Sequence, residues 1–383
     1  MYLIKNGTVY TMGKDGVVHT DLLLNDNGKI ETLGNDLGEV NATIIDATDK
    51  AVIPGFVDAH SHIGGVREDG EDLNELTNPA TPEMDAYYGI DPKDKQFKIA
   101  IQNGITTSCL TPGSGNVIGG WAIVLKSNEG RIQERLLKHP AALKAAMGIN
   151  PKGVYSKKGA LPMTRMGIAF ILRDYLRKVK EYMTKKEAAN GDPSKLPPFD
   201  LGLEHGIPVL KKEIPLKVHT YMHDMVTVVE IAKEFDILVT IDHAQGASDY
   251  YDVLSDSHVH GVIFGPICSG LFAGEGGKID FECLKGLDDR NVNVCVMTDG
   301  PVTPNNLLVY QAGEAVRRGM DPVKALGLIT SNPAKIILCE DRVGSIEKGK
   351  DADIQIYSAL PTKYVDANLE TVLINGKVEY KHA

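Results

Sequence analysis

Ile53-Pro54-Gly55-Phe56-Val57-Asp58-Ala59-His60-Ser61-His62 decides how this chain is read. The run is short and apolar, as a buried strand is, and it ends in two histidines one residue apart. Residues i and i+2 of an extended strand point to the same side. Two imidazoles on one side of a strand end can hold a single metal ion, and zinc accepts such ligands readily. Two surface histidines with the same spacing would look alike, so the reading depends on what the rest of the chain brings beside them.

Downstream, strand-like and helix-like runs alternate. Strands are expected at VIPGFVDAH, ITTSCLTP, WAIVLKS, LKVHTY, ILVTIDH, VHGVIFG and VNVCVMTD. Helices are expected at KDKQFKIAIQN, QERLLKHPAALKAAM, MGIAFILRDYLRKVKEYMTKKEAAN, MVTVVEIAKEF and NNLLVYQAGEAVRRG; apolar residues recur at helical spacing in Met166–Met183. A fourth strand is expected to end near Met147-Gly148-Ile149. About eight strand–helix units fit a (β/α)8 barrel. A doubly wound sheet is the rival, but no glycine-rich dinucleotide loop follows an early strand.

The first fifty residues have another texture. MYLIKNGTVYTM, DLLLNDNGKIETLG and ATIIDATDK are short strand-like runs broken by Gly and Asn, and the same texture returns in DADIQIYSAL and VDANLETVLINGKVEYKH. Neither end makes a core alone. The expected architecture is α/β: a barrel over 52–335 inserted into one small β-sandwich built from 1–51 and 336–383. Strand ends of a barrel meet on one face. His60 and His62 end the first strand, His219 ends LKVH, His243 ends ILVTIDH and Asp299 ends VNVCVMTD. Four histidines and an aspartate arriving there predict a metal site.

The length of 383 residues suits one large unit and a smaller one. A hydrophobic share of 43% with 24% charged residues is that of a water-soluble globular protein. A net charge of -10 offers phosphates no footprint, which argues against nucleic acid as a partner. No apolar run approaches the roughly 18 residues of a membrane helix, and MYLIKNGTVYTMGKDG lacks the pattern of a secretory signal. Cys109, Cys268, Cys283, Cys295 and Cys339 are widely spaced, odd in number and without a CxxC pair; they read as reduced core or near-core thiols. The expected location is the cytoplasm and the expected partner a small molecule, not a membrane.

On these residues the chain resembles the amidohydrolase superfamily over nearly its whole length. PGFVDAHSH resembles the first-strand metal motif, and NGITTSCLTPGSGN the second strand and its loop. TSNPAKIILCEDRVGSIEKGKDADIQIY resembles the segment that leaves the barrel and rebuilds the sandwich. NVIGG, GINPKGVY, TRMG and VHTYMHDM point to the imidazolonepropionase-related and dipeptidase-like branch. The resemblance implies that His60 and His62 bind the more buried metal and that His219 and His243 are the fifth- and sixth-strand histidines. It further implies that Asp299 binds metal and handles protons, and that the protein is a homo-oligomer.

Two departures shape the expectation. Binuclear members carry a bridging glutamate or carboxylated lysine near the third or fourth strand. Here Gly148-Ile149-Asn150-Pro151 stands where Gly-Glu-Asn-Pro is expected, and an isoleucine cannot bridge two cations. One metal on His60, His62, His219 and Asp299 is therefore expected, zinc first, with iron or manganese as alternatives. His243 is left to orient substrate or to hold a second ion; Lys126, at the end of WAIVLK, is the alternative bridge. In addition, nucleobase deaminases place a glutamate three residues after the fifth-strand histidine, where this sequence has Met222.

The chemistry so implied is attack of metal-activated water on an amide-like carbon. Asp299 acts as base and then acid, and His243 steadies the oxyanion. Arg165 reads equally as a fork for a substrate carboxylate and as a solvated helix start. Tyr221, His223 and Asn116 are expected in or near the pocket, His258 and His260 at the opposite face. The acidic, proline-punctuated loop over 64–91 is a lid or a subunit contact. The expected function is hydrolysis of a carbon–nitrogen bond other than that of a peptide backbone, in a cyclic amide, imidazolone or lactam-like ring. The alternatives are a dipeptidase-like peptide hydrolase and a non-catalytic binding protein on the same fold.

Overall fold

The computed structural model describes residues 1–35, 37, 41–267, 278 and 280–382; Cys268 lies outside them. The first sheet begins with β1 (Tyr2–Tyr10), β2 (Val17–Leu24), β3 (Ile30–Gly34), β4 (Thr43–Asp46) and β5 (Ala51–Pro54). A barrel strand, β6 (Phe56–Ser61), and a two-stranded ribbon, β7 (Val66–Arg67) and β8 (Gly70–Glu71), follow. The barrel continues with β9 (Ile105–Leu110), β10 (Ile118–Lys126), β11 (Leu136–Ala146), β12 (Leu216–Tyr221), β13 (Val239–Gln245), β14 (Val259–Phe264) and β15 (Val294–Val296). The chain then returns to the first sheet with β16 (Ile354–Tyr357), β17 (Leu369–Ile374) and β18 (Lys377–Lys381).

The first sheet is mixed and runs β18-β17-β16-β5-β1-β2-β3, with β4 beside β1. Its core joins Ile4, Leu22, Leu24 and Val52 from one chain end to Ile354, Ile356 and Leu373 from the other. Neither set could leave water without the other, which is why the two textures in the sequence belong to one sheet. VIPGFVDAH is split between the two sheets at Gly55. Its N–H donates to Asp353 O (2.8 Å), whereas Phe56 N donates to Gly104 O (2.9 Å). A Cβ on Gly55 would sit 2.1 Å from Thr106 Oγ1, so the crossing requires glycine.

The second sheet runs β6-β9-β10-β11-β12-β13-β14-β15. Its two edges are joined by Asp299 N→His60 O (3.1 Å) and His62 N→Gly300 O (2.6 Å), which makes a near-closed, TIM-type barrel. Two expectations are corrected here. The third barrel strand, β10, runs antiparallel to both neighbours, so WAIVLKS ends at the face away from the histidines. QERLLKHPAALKAAM is mainly the strand β11, with only α2 (Ile132–Arg135) helical, after α1 (Lys95–Gln102) earlier in the sequence. Pro140 would break a helix there. Residues 141–146 are buried without interruption between β10 and β12, as a strand covered on both faces must be.

The remaining helices that bear on the site are α3 (Ile149–Ser156), α4 (Arg165–Ala188), α5 (Leu201–Leu210) and α6 (Asp224–Phe235). In α4, Ile168, Ile171, Leu172, Tyr175, Leu176 and Val179 are buried, the helical stripe read from the sequence. Thr164 caps it by accepting from Gly167 N (3.1 Å). The loop over 64–91 lies against β10 and the loop after β9, through Gly113 N→Leu73 O (2.9 Å), Gly115 N→Asn74 Oδ1 (2.9 Å) and Trp121 N→Met84 O (2.9 Å). Among the described residues no helix is long and apolar enough to cross a membrane.

Candidate metal centre

Among the described residues, one group of His, Cys, Asp and Glu side chains brings its ligand atoms within 4.8 Å of one another: His60, His243 and Asp299. They come from the ends of β6 and β13 and from the residues just after β15. His62 stands beside them, with Nε2 3.1 Å from Asp299 Oδ1; His60 Nε2 is 3.4 Å from the same oxygen. The far nitrogen of each ring is tied to an acceptor. His60 Nδ1 meets Asp242 Oδ2 (2.5 Å), His62 Nδ1 meets Thr111 O (2.8 Å), and His243 Nδ1 meets Gly265 O (3.0 Å). Carbonyls and carboxylates only accept, so all three rings carry their proton on Nδ1.

Three bare Nε2 lone pairs therefore face one carboxylate. Acceptors so close repel unless a proton or a cation lies among them. Among the described residues, His60 Nε2 and His243 Nε2 are buried nitrogens without a hydrogen-bond partner. Burial, with the Lys217 charge, holds His60 well below the usual histidine range, and burial likewise lowers His243. Burial alone would raise the Asp299 carboxyl, but the close His62 ring, with His243 and His60 nearby, outweighs it and holds the carboxyl well below the ordinary range. Neutral imidazoles and an ionised carboxylate are the donor set that a divalent metal takes.

His219 lies in the second half of β12, and its ring lies 4.1 Å from that of His243. Its own nitrogens face Ser114 Oγ (Nδ1, 3.1 Å) and the Asn150 amide (Nε2, 3.3 Å). The tightest set thus contains His243 where the sequence reading put His219. His243 Nε2 has no hydrogen-bond partner among the described residues, so the ring can offer a ligand atom to a metal. The ring reaches the site through an unusual backbone: His243 and Ala244 have φ of 66° and 52°. In a regular strand Asp242 and His243 would face opposite sides. The left-handed turn brings both into the interior, at a site where such strain is worth holding.

Lys126 is not at the site. It is 1% exposed and pairs with Asp351 (2.7 Å) and Asp353 (2.9 Å) of the sandwich segment. The cause is the reversed direction of β10. The lysine near the metal face is Lys144 of β11, fully buried, in register with Lys217 and donating to Ser114 Oγ (2.7 Å). Burial pushes it down to about 8. Ile149 begins α3, and its neighbour Asn150 is the residue that reaches His219.

The expected pocket residues divide. Tyr221 is 5% exposed and packs its ring 4.8 Å from His219 and 5.5 Å from His243. Arg165 opens α4 and turns its guanidinium to Asp224 (2.8 and 3.3 Å), the first residue of α6. His223 is exposed just before α6. Asn116 is committed to the loops: its Nδ2 donates to Glu75 O (2.7 Å) and Thr81 Oγ1 (2.8 Å), and Tyr155 donates to its Oδ1 (2.5 Å). His258 bonds Asp256 and His260 faces Lys335 O, both at the start of β14 and away from the metal face. Sequence reasoning missed Ser114, Lys144, Asn150, Lys217 and Asp242. A charged residue inside a buried strand, as in ALKAAM, LKVH and ILVTIDH, was the available signal for three of them.

A barrel with a histidine–aspartate metal centre at its strand ends, joined to a sandwich made from both chain ends, defines a metal-dependent hydrolase of the amidohydrolase kind. The amidohydrolase family model matches residues 203–378. A solved amidohydrolase from Thermotoga maritima is 38% identical, covers 100% of both chains and superposes with a TM-score of 0.93. The chain belongs to the amidohydrolase family. It is related to imidazolonepropionase: the Clostridium tetani enzyme is 26% identical over 95% of this chain and 90% of its own length. Amidohydrolase tasK of Hapsidospora irregularis is 26% identical over 89% of this chain, which spans only 37% of that protein's length. The His60–His243–Asp299 group and the family together support metal-dependent hydrolysis of a carbon–nitrogen bond.

Proposed function

We infer that this protein holds one divalent metal and opens the C–N bond of a small cyclic amide of the imidazolone or lactam type. The observation that carries the reading is the convergence of bare His60 and His243 Nε2 atoms on Asp299. The relationship to imidazolonepropionase supports the cyclic class. When bound, a metal such as zinc acidifies a water and polarises an amide carbonyl. His60, His243 and Asp299 would hold it, with His62 and His219 as the further ligands. Asp299, ionised and anchored to His60 O through its own N–H, takes the water proton and returns it to the departing nitrogen. Tyr221 lies beside the histidines, and Arg165, His223 and Asn116 are kept with it as the candidate substrate-side residues.

One metal fits the ligand set, since Asp299 is the one carboxylate of the metal-ligand group among the described residues. A two-metal version of the reading would need an anionic bridge, and Lys144 in its carboxylated form is the side chain placed for it, in place of Lys126. The reading also takes the protein as cytoplasmic and homo-oligomeric; Met166, Phe170 and Phe199, exposed by 78%, 59% and 75%, support the last. The test is turnover by the zinc-loaded protein on a panel of imidazolones, lactams, hydantoin-like rings and dipeptides. Cleavage confined to cyclic amides is expected. Cleavage of dipeptides alone would replace the cyclic class by the dipeptidase one, and no cleavage across the panel would favour a binding protein.

A further inference from the structure

One layer below the metal centre the barrel interior holds a charged cluster that the hydrolytic reading does not use. Asp242 is wholly buried; its Oδ2 meets His60 Nδ1 (2.5 Å) and Lys217 Nζ (2.7 Å), and its Oδ1 accepts from Thr240 Oγ1 (2.8 Å). Lys217, 2% exposed, also donates to Ala59 O (2.8 Å). The cluster therefore joins β6, β12 and β13, the strands that carry His60, His219 and His243. A neutral imidazole has one N–H, and a carboxylate can only accept it. With the proton drawn to Nδ1, the lone pair on Nε2 faces Asp299, and no hydrogen-bond donor among the described residues meets it.

We propose that Asp242, held by Lys217 and Thr240, is a positioning residue for the metal centre: it selects the Nδ1–H tautomer of His60 and aims Nε2 at the ion. The proposal rests on the metal-hydrolase reading. Lys217 supplies the counter-charge without which a carboxylate at this depth would be strongly unfavourable, and its second bond, to Ala59 O, fixes the β6 backbone one residue before His60. An amide in place of Asp242, with Lys217 also replaced, would lose this selectivity. Without the Lys217 donor it can turn its NH2 towards Nδ1 as readily as its carbonyl and so admit the tautomer whose Nε2 cannot bind metal. Partners of this kind orient a ligand and contribute about 10–100-fold to metal affinity.

The test uses the full-length protein, stripped of metal and labelled with nitrogen-15 at histidine. Long-range proton–nitrogen NMR reads the tautomer of His60, assigned by His60→Gln. Zinc affinity is measured separately by competition with a chromophoric chelator. The wild type is expected to show His60 protonated on Nδ1. The charge-neutral pair Asp242→Asn/Lys217→Met is expected to show mixed tautomers and zinc binding about 10–100-fold weaker, with the melting temperature of the metal-free protein little changed. Should this pair fail to fold, Asp242→Leu/Lys217→Met takes its place with the same expectation. A wild-type His60 protonated on Nε2, or unchanged zinc affinity in either folded variant, would overturn the proposal. A wild type that binds no zinc, yet has His60 protonated on Nδ1, would place the error in the hydrolase reading instead.

Discussion

Lys144 carries its amine into the barrel with a serine hydroxyl and a carbonyl for company, and no ion pair to a carboxylate is formed among the described residues. Burial pushes it down to about 8, against about 10.4 in an unfolded chain. Between those values the unfolded chain binds more protons, so stability rises with pH across that window; below about 8 the burial penalty acts in full. Lys144→Met is predicted to stabilise the metal-free protein near neutral pH by on the order of 3 kcal/mol. The gain should vanish by about pH 10.5. Urea unfolding of both proteins across this range checks it, and a pH-independent difference would contradict the assignment. At this scale the histidines and Asp299 were legible because polar residues at the ends of apolar strands have few structural uses. Asp242 was hidden by the alternation rule, which puts it opposite His243 and which the φ of 66° at His243 breaks.

The direction of β10 decides what Lys126 does. A strand antiparallel to its neighbours delivers its last residue to the sandwich side of the barrel, where Lys126 sits between Asp351 and Asp353. Removing it leaves the buried Asp353 without a counter-charge, while Asp351 keeps Lys29 and Arg342; breaking such a buried pair costs about 3–5 kcal/mol. Lys126→Met should therefore lower the melting temperature strongly while leaving metal content per folded molecule unchanged; metal lost from folded protein would return Lys126 to the site. Hydrophobic pattern located β10 but cannot report strand direction, which is set by pairing partners distant in sequence. The same limit explains β11. Ala141–Ala146 is rich in helix-favouring residues, yet burial on both faces overrides propensity. By contrast LKVHTY coincides with β12, and the α4 stripe with its helix, because there the local pattern and the tertiary demand agree.

For the whole molecule, the two chain ends close one sheet and the segment between them closes the other, so the metal face is built from strands far apart in sequence. Such a site exists only in the folded state, and metal binding is then linked to global stability. The central claim is that His60, His243 and Asp299 hold a divalent metal in the working protein. The most direct measurement is elemental analysis of protein purified without added metal, beside the His60→Ala/His243→Ala variant. The account predicts about one divalent metal per wild-type molecule, with zinc the first expectation, and almost none in the variant. A wild type that holds no metal even after reconstitution, or a variant that holds as much as the wild type, would contradict it.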